Sequence, residues 1–274
     1  MTEVDPDAPH PAEAYDRPVA DLARRGKHAV VALAVTMFVH VLDLGARVVS
    51  ISALRDYQAA EGDEVVQSFI ETRLASADTL VNGAVVTGYV VLLATAFLFL
   101  RWVRQLVVLT RVLGGRGLPW TPKQATWAFF LPIVSLFRPY QVLRDVQREL
   151  DPEEILPPEV RLDRDGGGDY RSPAFVLPPA AKALPNAFLG VWWGLFVGMN
   201  VLSRAVSSST RHAESAAAIV RAYQAEMALD VLAIAAAFFA VRVVQGLTAR
   251  LGERFRRIRH ATPASLARQG VVLG

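Results

Sequence analysis

Two long blocks without any charged residue constrain this 274-residue chain more than any other feature of its sequence. Thr79 to Leu100 is 22 residues long and Ala183 to Ser203 is 21, and neither contains Asp, Glu, Lys or Arg. A run of about 18 apolar residues is enough to cross a bilayer as a helix. The overall charged fraction of 20% hides these blocks, because the charges gather in the connectors. The sequence therefore excludes a simple soluble domain and predicts an integral membrane protein.

Two further apolar segments are long enough to span but carry charges inside them. Ala29 to Leu54 contains His40, Asp43 and Arg47, and Asp230 to Leu247 is interrupted by Arg242. Their lengths are those of transmembrane helices, and intramembrane charges are tolerated where they face other helices. The expected fold is all-α: a polytopic helical membrane protein with four transmembrane helices plus a short re-entrant or interfacial helix.

The short helix is predicted over residues 125–150. Its apolar part, Ala125 to Phe137, covers only about 20 Å at ~1.5 Å per residue, against a hydrocarbon core of roughly 30 Å. From Pro139 onward the pattern is amphipathic, with Val142, Leu143 and Val146 on one side. We expect either a re-entrant gate or, preferably, an interfacial element that packs on the cytoplasmic face. The residues singled out for this element are Trp127, Phe129, Pro132, Pro139 and Gln141.

The distribution of Lys and Arg favours four crossings over five. With four crossings, 22 of the positive residues outside the spans lie on the side of the amino terminus and 5 on the other. With five crossings the counts are 12 and 15, which is no bias. The positive-inside rule therefore predicts a multi-pass membrane protein with both termini in the cytoplasm.

Composition divides the chain into five parts. They are a disordered cytoplasmic arm (1–27), a first transmembrane hairpin with the short segment (28–150), a flexible cytoplasmic linker (151–183), a second transmembrane hairpin (184–258) and a basic, flexible tail (259–274).

Positive charges lie mainly beside apolar segments, which favours a membrane surface over nucleic acid as their partner. The basic cluster near the carboxyl terminus is expected to bind anionic lipid headgroups. It comprises Arg254, Arg256, Arg257 and Arg259. A second copy of the chain or another membrane protein is a further expected partner.

Polar residues inside or at the ends of the spans form a candidate layer in the outer half of the membrane. On the first span they lie at positions i, i+3 and i+7, which is one helical face. The layer comprises His40, Asp43, Arg47, Asn82, Asn200, Arg204 and Asp230. Two interpretations remain open: an internally paired network that fixes helix register, which we favour, or a site for a small solute or ion.

Motifs of catalysis, of metal binding and of cofactor binding are absent from the sequence. There is no Cys, the five His residues are isolated from one another, and Gly114 to Gly117 lacks the Lys-Ser/Thr of a phosphate loop. We therefore expect no enzymatic activity and no cofactor.

Residues 101–146 resemble the hallmark of an uncharacterised bacterial membrane family, domain of unknown function 4328. The resemblance rests on Arg101-Trp102-Val103-Arg104 and on the run from Phe129 to Gln141, and Trp192-Trp193 agrees with it. It covers about residues 28–258 and implies an integral protein of the bacterial plasma membrane without a known activity. Together with the preceding observations, it leads us to expect a non-enzymatic structural, regulatory or partner-binding membrane component. The alternative is a small-solute or ion transporter or channel component.

Overall fold

The computed structural model describes residues 11–59, 64–113, 117–131, 134–150, 186–210 and 216–260. Within these ranges the chain is 93% helical and contains no strand. A 3-10 turn, Pro11–Tyr15, precedes the first helix, and a second, Val134–Leu136, precedes the fourth. The α-helices are α1 (Asp16–Ala59), α2 (Glu64–Val112), α3 (Pro122–Trp127), α4 (Arg138–Glu149), α5 (Asn186–Thr210) and α6 (Ala216–His260).

Four of the described helices are long and apolar enough to cross a membrane. They are α1 with 44 residues, α2 with 49, α5 with 25 and α6 with 45. At ~1.5 Å per residue the longest reach about 65–75 Å, so they exceed a hydrocarbon core of roughly 30 Å. The prediction of an all-helical protein with four spans is confirmed.

The chain forms two compact units, and each is built from separate stretches of sequence. The first, here called the apolar-surfaced unit, comprises residues 29–98 and 187–242. The second, here called the polar-surfaced unit, comprises residues 1–28, 99–186 and 243–274. Neither unit follows the two predicted hairpins, because stretches from both hairpins pack together within each unit.

The apolar-surfaced unit exposes large hydrophobic side chains on every one of its helices. Examples are Phe38 at 61% exposure, Leu93 at 71% and Phe97 at 63%. Its buried positions include Asp43 and Arg47, so charge lies inside and apolar surface outside. Water would make this arrangement unfavourable, whereas lipid favours it, because hydrocarbon solvates apolar side chains and not ions. This unit is the part of the protein suited to the bilayer.

The polar-surfaced unit has a hydrophobic core and many exposed charged side chains, although Arg250, Glu253 and Arg254 are buried. Trp102, Val103, Leu106 and Leu143 are fully buried. The Trp102 indole Nε1 donates to Thr248 Oγ1 at 3.0 Å, which satisfies the polar atom of the largest buried ring. Such a surface is suited to contact with water.

Residues 122–149 contain two short helices and no helix of spanning length, as predicted. Thr121 begins α3 as an N-cap with a capping box, in which Gln124 N donates to Thr121 Oγ1 and Thr121 N to Gln124 Oε1. Helix α4 buries the predicted apolar face, including Val142, Leu143 and Val146.

Several element boundaries differ from those expected. Helix α1 begins at Asp16, inside the range 1–27 predicted to be a disordered arm. Leu22 is buried there, and Arg259 Nη1 donates to Asp16 Oδ1 at 2.7 Å, so packing and an ion pair hold the first turns in place. Residues 1–10, most of the predicted linker 151–183 and residues 261–274 of the tail lie outside the described ranges.

Candidate functional site

Charged side chains of α1 and α6 meet inside the apolar-surfaced unit, and we call this group the α1–α6 charge cluster. Three members come from α1 at positions i, i+3 and i+7, and two from α6 at positions i and i+4. Both spacings place the side chains of each helix on one face. The members are His40, Asp43, Arg47, Glu226 and Asp230.

Arg47 is the centre of this cluster and is only 6% exposed. Its Nη2 donates to Asp43 Oδ2 at 2.8 Å, one turn earlier on the same helix. Its Nη1 donates to Glu226 Oε2, and its Nε lies 3.4 Å from Asp230 Oδ2. One guanidinium therefore contacts three carboxylates from two helices, which its rigid fork of five N–H donors permits.

His40 forms the second contact between the two helices. Its Nδ1 lies 2.7 Å from Asp230 Oδ1, a hydrogen bond in which the proton position depends on the imidazole tautomer and charge. Asp230 therefore faces both His40 and Arg47. The imidazole is half-buried, with 32% of its side-chain surface exposed.

The cluster holds more negative than positive groups. Asp43, Glu226 and Asp230 are three carboxylates, whereas Arg47 is the one guanidinium and His40 carries charge only when it is protonated. Two buried carboxylate oxygens, Asp43 Oδ1 and Asp230 Oδ2, accept no hydrogen bond. Unsatisfied anionic oxygens are costly away from water, so each of these two oxygens could accept from a further donor.

The structure joins four of the seven residues predicted for the polar layer: His40, Asp43, Arg47 and Asp230. Asn200 and Arg204 are exposed on α5, and Asn200 Nδ2 donates to Phe196 O of its own helix at 2.7 Å. Asn82 lies on α2, and its side chain is outside the described part of the structure. The described cluster is therefore smaller than the predicted layer and is confined to two helices.

Glu226 belongs to the cluster although it lies four residues before Asp230, where the last span was predicted to begin. Helix α6 begins at Ala216, so its first turns continue the spanning helix without a break. The available signal was the i,i+4 spacing of Glu226 and Asp230, which matches that of Asp43 and Arg47.

Metal binding has no support from the described side chains. Nowhere in the part of the chain that the structure covers do three His, Asp or Glu side chains converge as metal ligands. The contacts described within the cluster are ion pairs and hydrogen bonds.

The residues predicted for the short segment take different positions within the polar-surfaced unit. Trp127 is 55% exposed, and Phe129 packs its ring edge on Phe99 at 6.0 Å. Pro139 is buried in the first turn of α4, and Gln141 N donates to Phe137 O at 3.2 Å. Pro132 lies outside the described residues. The arrangement is that of a surface element built from short helices.

The predicted basic cluster near the carboxyl terminus contains a buried residue. Helix α6 continues to His260, and Arg254 is only 3% exposed. Its Nε donates to Leu113 O at 2.8 Å and its Nη1 to Glu149 O. The guanidinium is thus engaged with the carbonyl ends of α2 and α4, so Arg254 is withdrawn from the headgroup site expected of it.

A family model described as "Domain of unknown function (DUF4328)" matches residues 68–249, about two thirds of the chain. No curated protein and no solved structure matches the chain. The matched range contains most of α2, all of α3 to α5 and most of α6, including Glu226 and Asp230.

Proposed function

Because this chain belongs to the DUF4328 family, whose description assigns no activity, we propose a function from the geometry of the charge cluster. The protein is a non-enzymatic structural or regulatory component of the bacterial plasma membrane, with both termini in the cytoplasm. Its α1–α6 charge cluster holds two spanning helices in one register.

One observation supports this role above the others, namely that Arg47 contacts Asp43 on its own helix and Glu226 and Asp230 on α6. A buried ion pair gains little net stability over an apolar core, but breaking it leaves an uncompensated charge and costs about 3–5 kcal/mol. Sliding α6 by one residue along α1 would separate these groups. The cluster therefore favours one alignment of the helices over its neighbours.

Arg47→Gln tests this function. The variant leaves three carboxylates without their guanidinium, so we expect a melting temperature in detergent lower by about 10 °C, from a loss of about 3–5 kcal/mol. Arg242→Gln is the matched control, because Arg242 is an exposed arginine of the same unit and lies 5.5 Å from the Phe238 ring. The control should melt within about 2 °C of the parent protein. Equal effects of the two substitutions would contradict a register-fixing role.

A second candidate function, an ion or small-solute transporter component, is favoured by the excess of carboxylates and by the two oxygens that accept no hydrogen bond. Intramembrane ionisable residues commonly lie on ion and proton pathways. The exposed positions of Asn200 and Arg204 do not support it, because they leave the described path with only two contributing helices.

Flux measurements on a folded variant separate the two functions. Asp43→Asn removes one carboxylate but leaves Arg47 its contacts with Glu226 and Asp230. For a structural cluster we expect a lower melting temperature, and entry of H⁺, Na⁺ and K⁺ into proteoliposomes at the rate of protein-free vesicles. Flux of any of these ions that is present in the parent protein and changed in folded Asp43→Asn would establish the second function.

A further inference from the structure

One group of large hydrophobic side chains is exposed on the polar-surfaced unit. Every large hydrophobic side chain that is exposed in the described part of this unit lies between residues 127 and 137. We call these side chains the apolar surface; they are Trp127, Phe130, Leu131, Leu136 and Phe137, with exposures between 36% and 64%. Such a concentration of exposed aromatic and aliphatic groups marks a contact surface.

Aromatic contacts connect the segment that carries this apolar surface to the hydrophobic core of the unit. Phe129, between two exposed members, packs against Phe99 of α2, and Phe99 itself lies 5.4 Å from the buried Trp102 ring. Trp127 and Phe130 contact each other edge to face, with their ring centroids 5.7 Å apart. Aromatic rings fixed in this way lose little conformational entropy when they contact a partner.

The charged residues that flank the apolar surface in sequence are positive, and Asp145, which accepts from Trp120 Nε1 at 2.9 Å, is the first carboxylate after it. No Asp or Glu occurs between Asp78 and Asp145, whereas that stretch contains seven Lys and Arg residues. Lys123 and Arg138, which flank the apolar surface in sequence, are exposed. Arg138 lies 5.7 Å from the Trp120 ring, which positions its guanidinium beside the start of α3. The partner should therefore be apolar at its centre and anionic at its rim.

The carboxyl-terminal arginines differ in that carboxylates or carbonyl groups already bind them. Glu253 accepts from both Arg256 and Arg257, and Asp16 accepts from Arg259. Arg254 donates to the carbonyl ends of two helices.

We propose that the apolar surface, together with Lys123 and Arg138, forms a binding site for anionic phospholipids. The apolar surface enters the acyl region while Lys123 and Arg138 bind headgroup phosphates, and the leaflet is the cytoplasmic one on the orientation proposed above. Exposed aromatic residues beside cations are the arrangement by which interfacial elements bind membranes. The site is independent of the α1–α6 charge cluster, so either can fail without the other.

Lipid titration of the purified full chain in a neutral detergent tests the site. Phosphatidylglycerol should raise the melting temperature in a saturable manner, and phosphatidylcholine should do so far less. Lys123→Gln/Arg138→Gln should weaken the apparent affinity for phosphatidylglycerol about 25-fold, at about five-fold for each cation removed near the surface.

The matched control is Arg256→Gln/Arg259→Gln, which removes the same charge from the carboxyl-terminal cluster and should retain the affinity within about two-fold. A loss in this control with none in Lys123→Gln/Arg138→Gln would move the site to the carboxyl terminus and overturn the proposal. Unchanged affinity in both variants would overturn it as well. So would equal stabilisation by inorganic phosphate, because phosphate alone cannot use the apolar surface.

Depth measurement provides an independent test that leaves the cations in place. The chain has no native Cys, so Leu131→Cys can carry a single nitroxide in vesicles that contain phosphatidylglycerol. We expect its spectrum to respond to oxygen, which concentrates in the acyl region, more than to a water-soluble nickel complex. Arg148→Cys, an exposed position on α4, should respond mainly to the nickel complex. A water-exposed nitroxide at position 131 would contradict the proposed insertion.

Discussion

At the scale of single residues, a missing side chain can matter for packing as much as a charged one does. Gly26 of α1 lies so close to its neighbours that an added Cβ would be 3.1 Å from Thr248 Oγ1 and 3.5 Å from Trp102 Nε1. Those two atoms form the hydrogen bond that satisfies the buried indole. Glycine at this position therefore permits both the helix contact and the hydrogen bond. The sequence alone gave no signal for it, because the contacting residues are distant in the chain.

Gly26→Ala should lower the melting temperature in detergent by about 2–8 °C, because the new methyl group must push Thr248 away from Trp102. Gly45→Ala on the same helix is the control, since nothing lies within 4 Å of the Cβ it would add. It should leave the melting temperature unchanged or slightly higher. Similar losses for the two substitutions would show that close packing at position 26 does not explain the effect.

At the scale of elements, α6 closes the ends of two other helices. The last carbonyls of an α-helix have no partner within the helix, and they form the negative end of its dipole. Arg254 donates to Leu113 O, just beyond α2, and to Glu149 O, at the end of α4. Arg250 Nη1 donates to Gln147 O at 3.2 Å. Two arginines one turn apart thus supply the donors that these carbonyl ends require.

Arg254→Gln should destabilise the protein by about 2–4 kcal/mol, because buried carbonyls lose charged donors and the dipoles lose a compensating charge. The corresponding fall in melting temperature is about 5–15 °C. Arg256→Gln, two residues away, removes an arginine whose side chain is 60% exposed, and it should change the melting temperature by less than about 2 °C. A small effect of Arg254→Gln would imply that water or another side chain satisfies the carbonyls.

The elements themselves were largely predictable, and their contacts were not. Uncharged blocks identified α2 and α5, and the spacing of Val142, Leu143 and Val146 identified the buried face of α4. The one-face spacing of His40, Asp43 and Arg47 indicated a shared polar surface. The partner helix, the inclusion of Glu226 and the burial of Arg254 depend on tertiary packing, which single-sequence patterns do not contain.

At the scale of the whole molecule, three long helices each contribute residues to both units. The apolar-surfaced unit begins after His28 on α1, ends at Leu98 on α2 and ends at Arg242 on α6. The exposed cations Lys27, Arg101 and Arg242 lie within three residues of those limits. Cations at helix positions where lipid contact gives way to water are typical of a membrane boundary.

Single-cysteine labelling tests the orientation. With four crossings and cytoplasmic termini, a membrane-impermeant maleimide applied to spheroplasts should label Ser209→Cys and leave Ser172→Cys unlabelled. The absence of native Cys removes background from both experiments. Both variants should be labelled after the membrane is permeabilised, which controls for reactivity. Labelling of Ser172→Cys alone in intact spheroplasts would contradict this topology, since it requires either an inverted orientation or an odd number of crossings between a cytoplasmic amino terminus and residue 172.

Arg254 is synthesised well after the two helix ends to which it donates hydrogen bonds. The guanidinium is 141 residues after Leu113 and 105 after Glu149. At about 5–20 residues per second, the ribosome delivers Arg254 about 5–30 s after those carbonyls have emerged. Until then the nascent chain must leave both ends to water or to the insertion machinery. The Arg254 guanidinium therefore reaches these two helix ends only after both helices have been made.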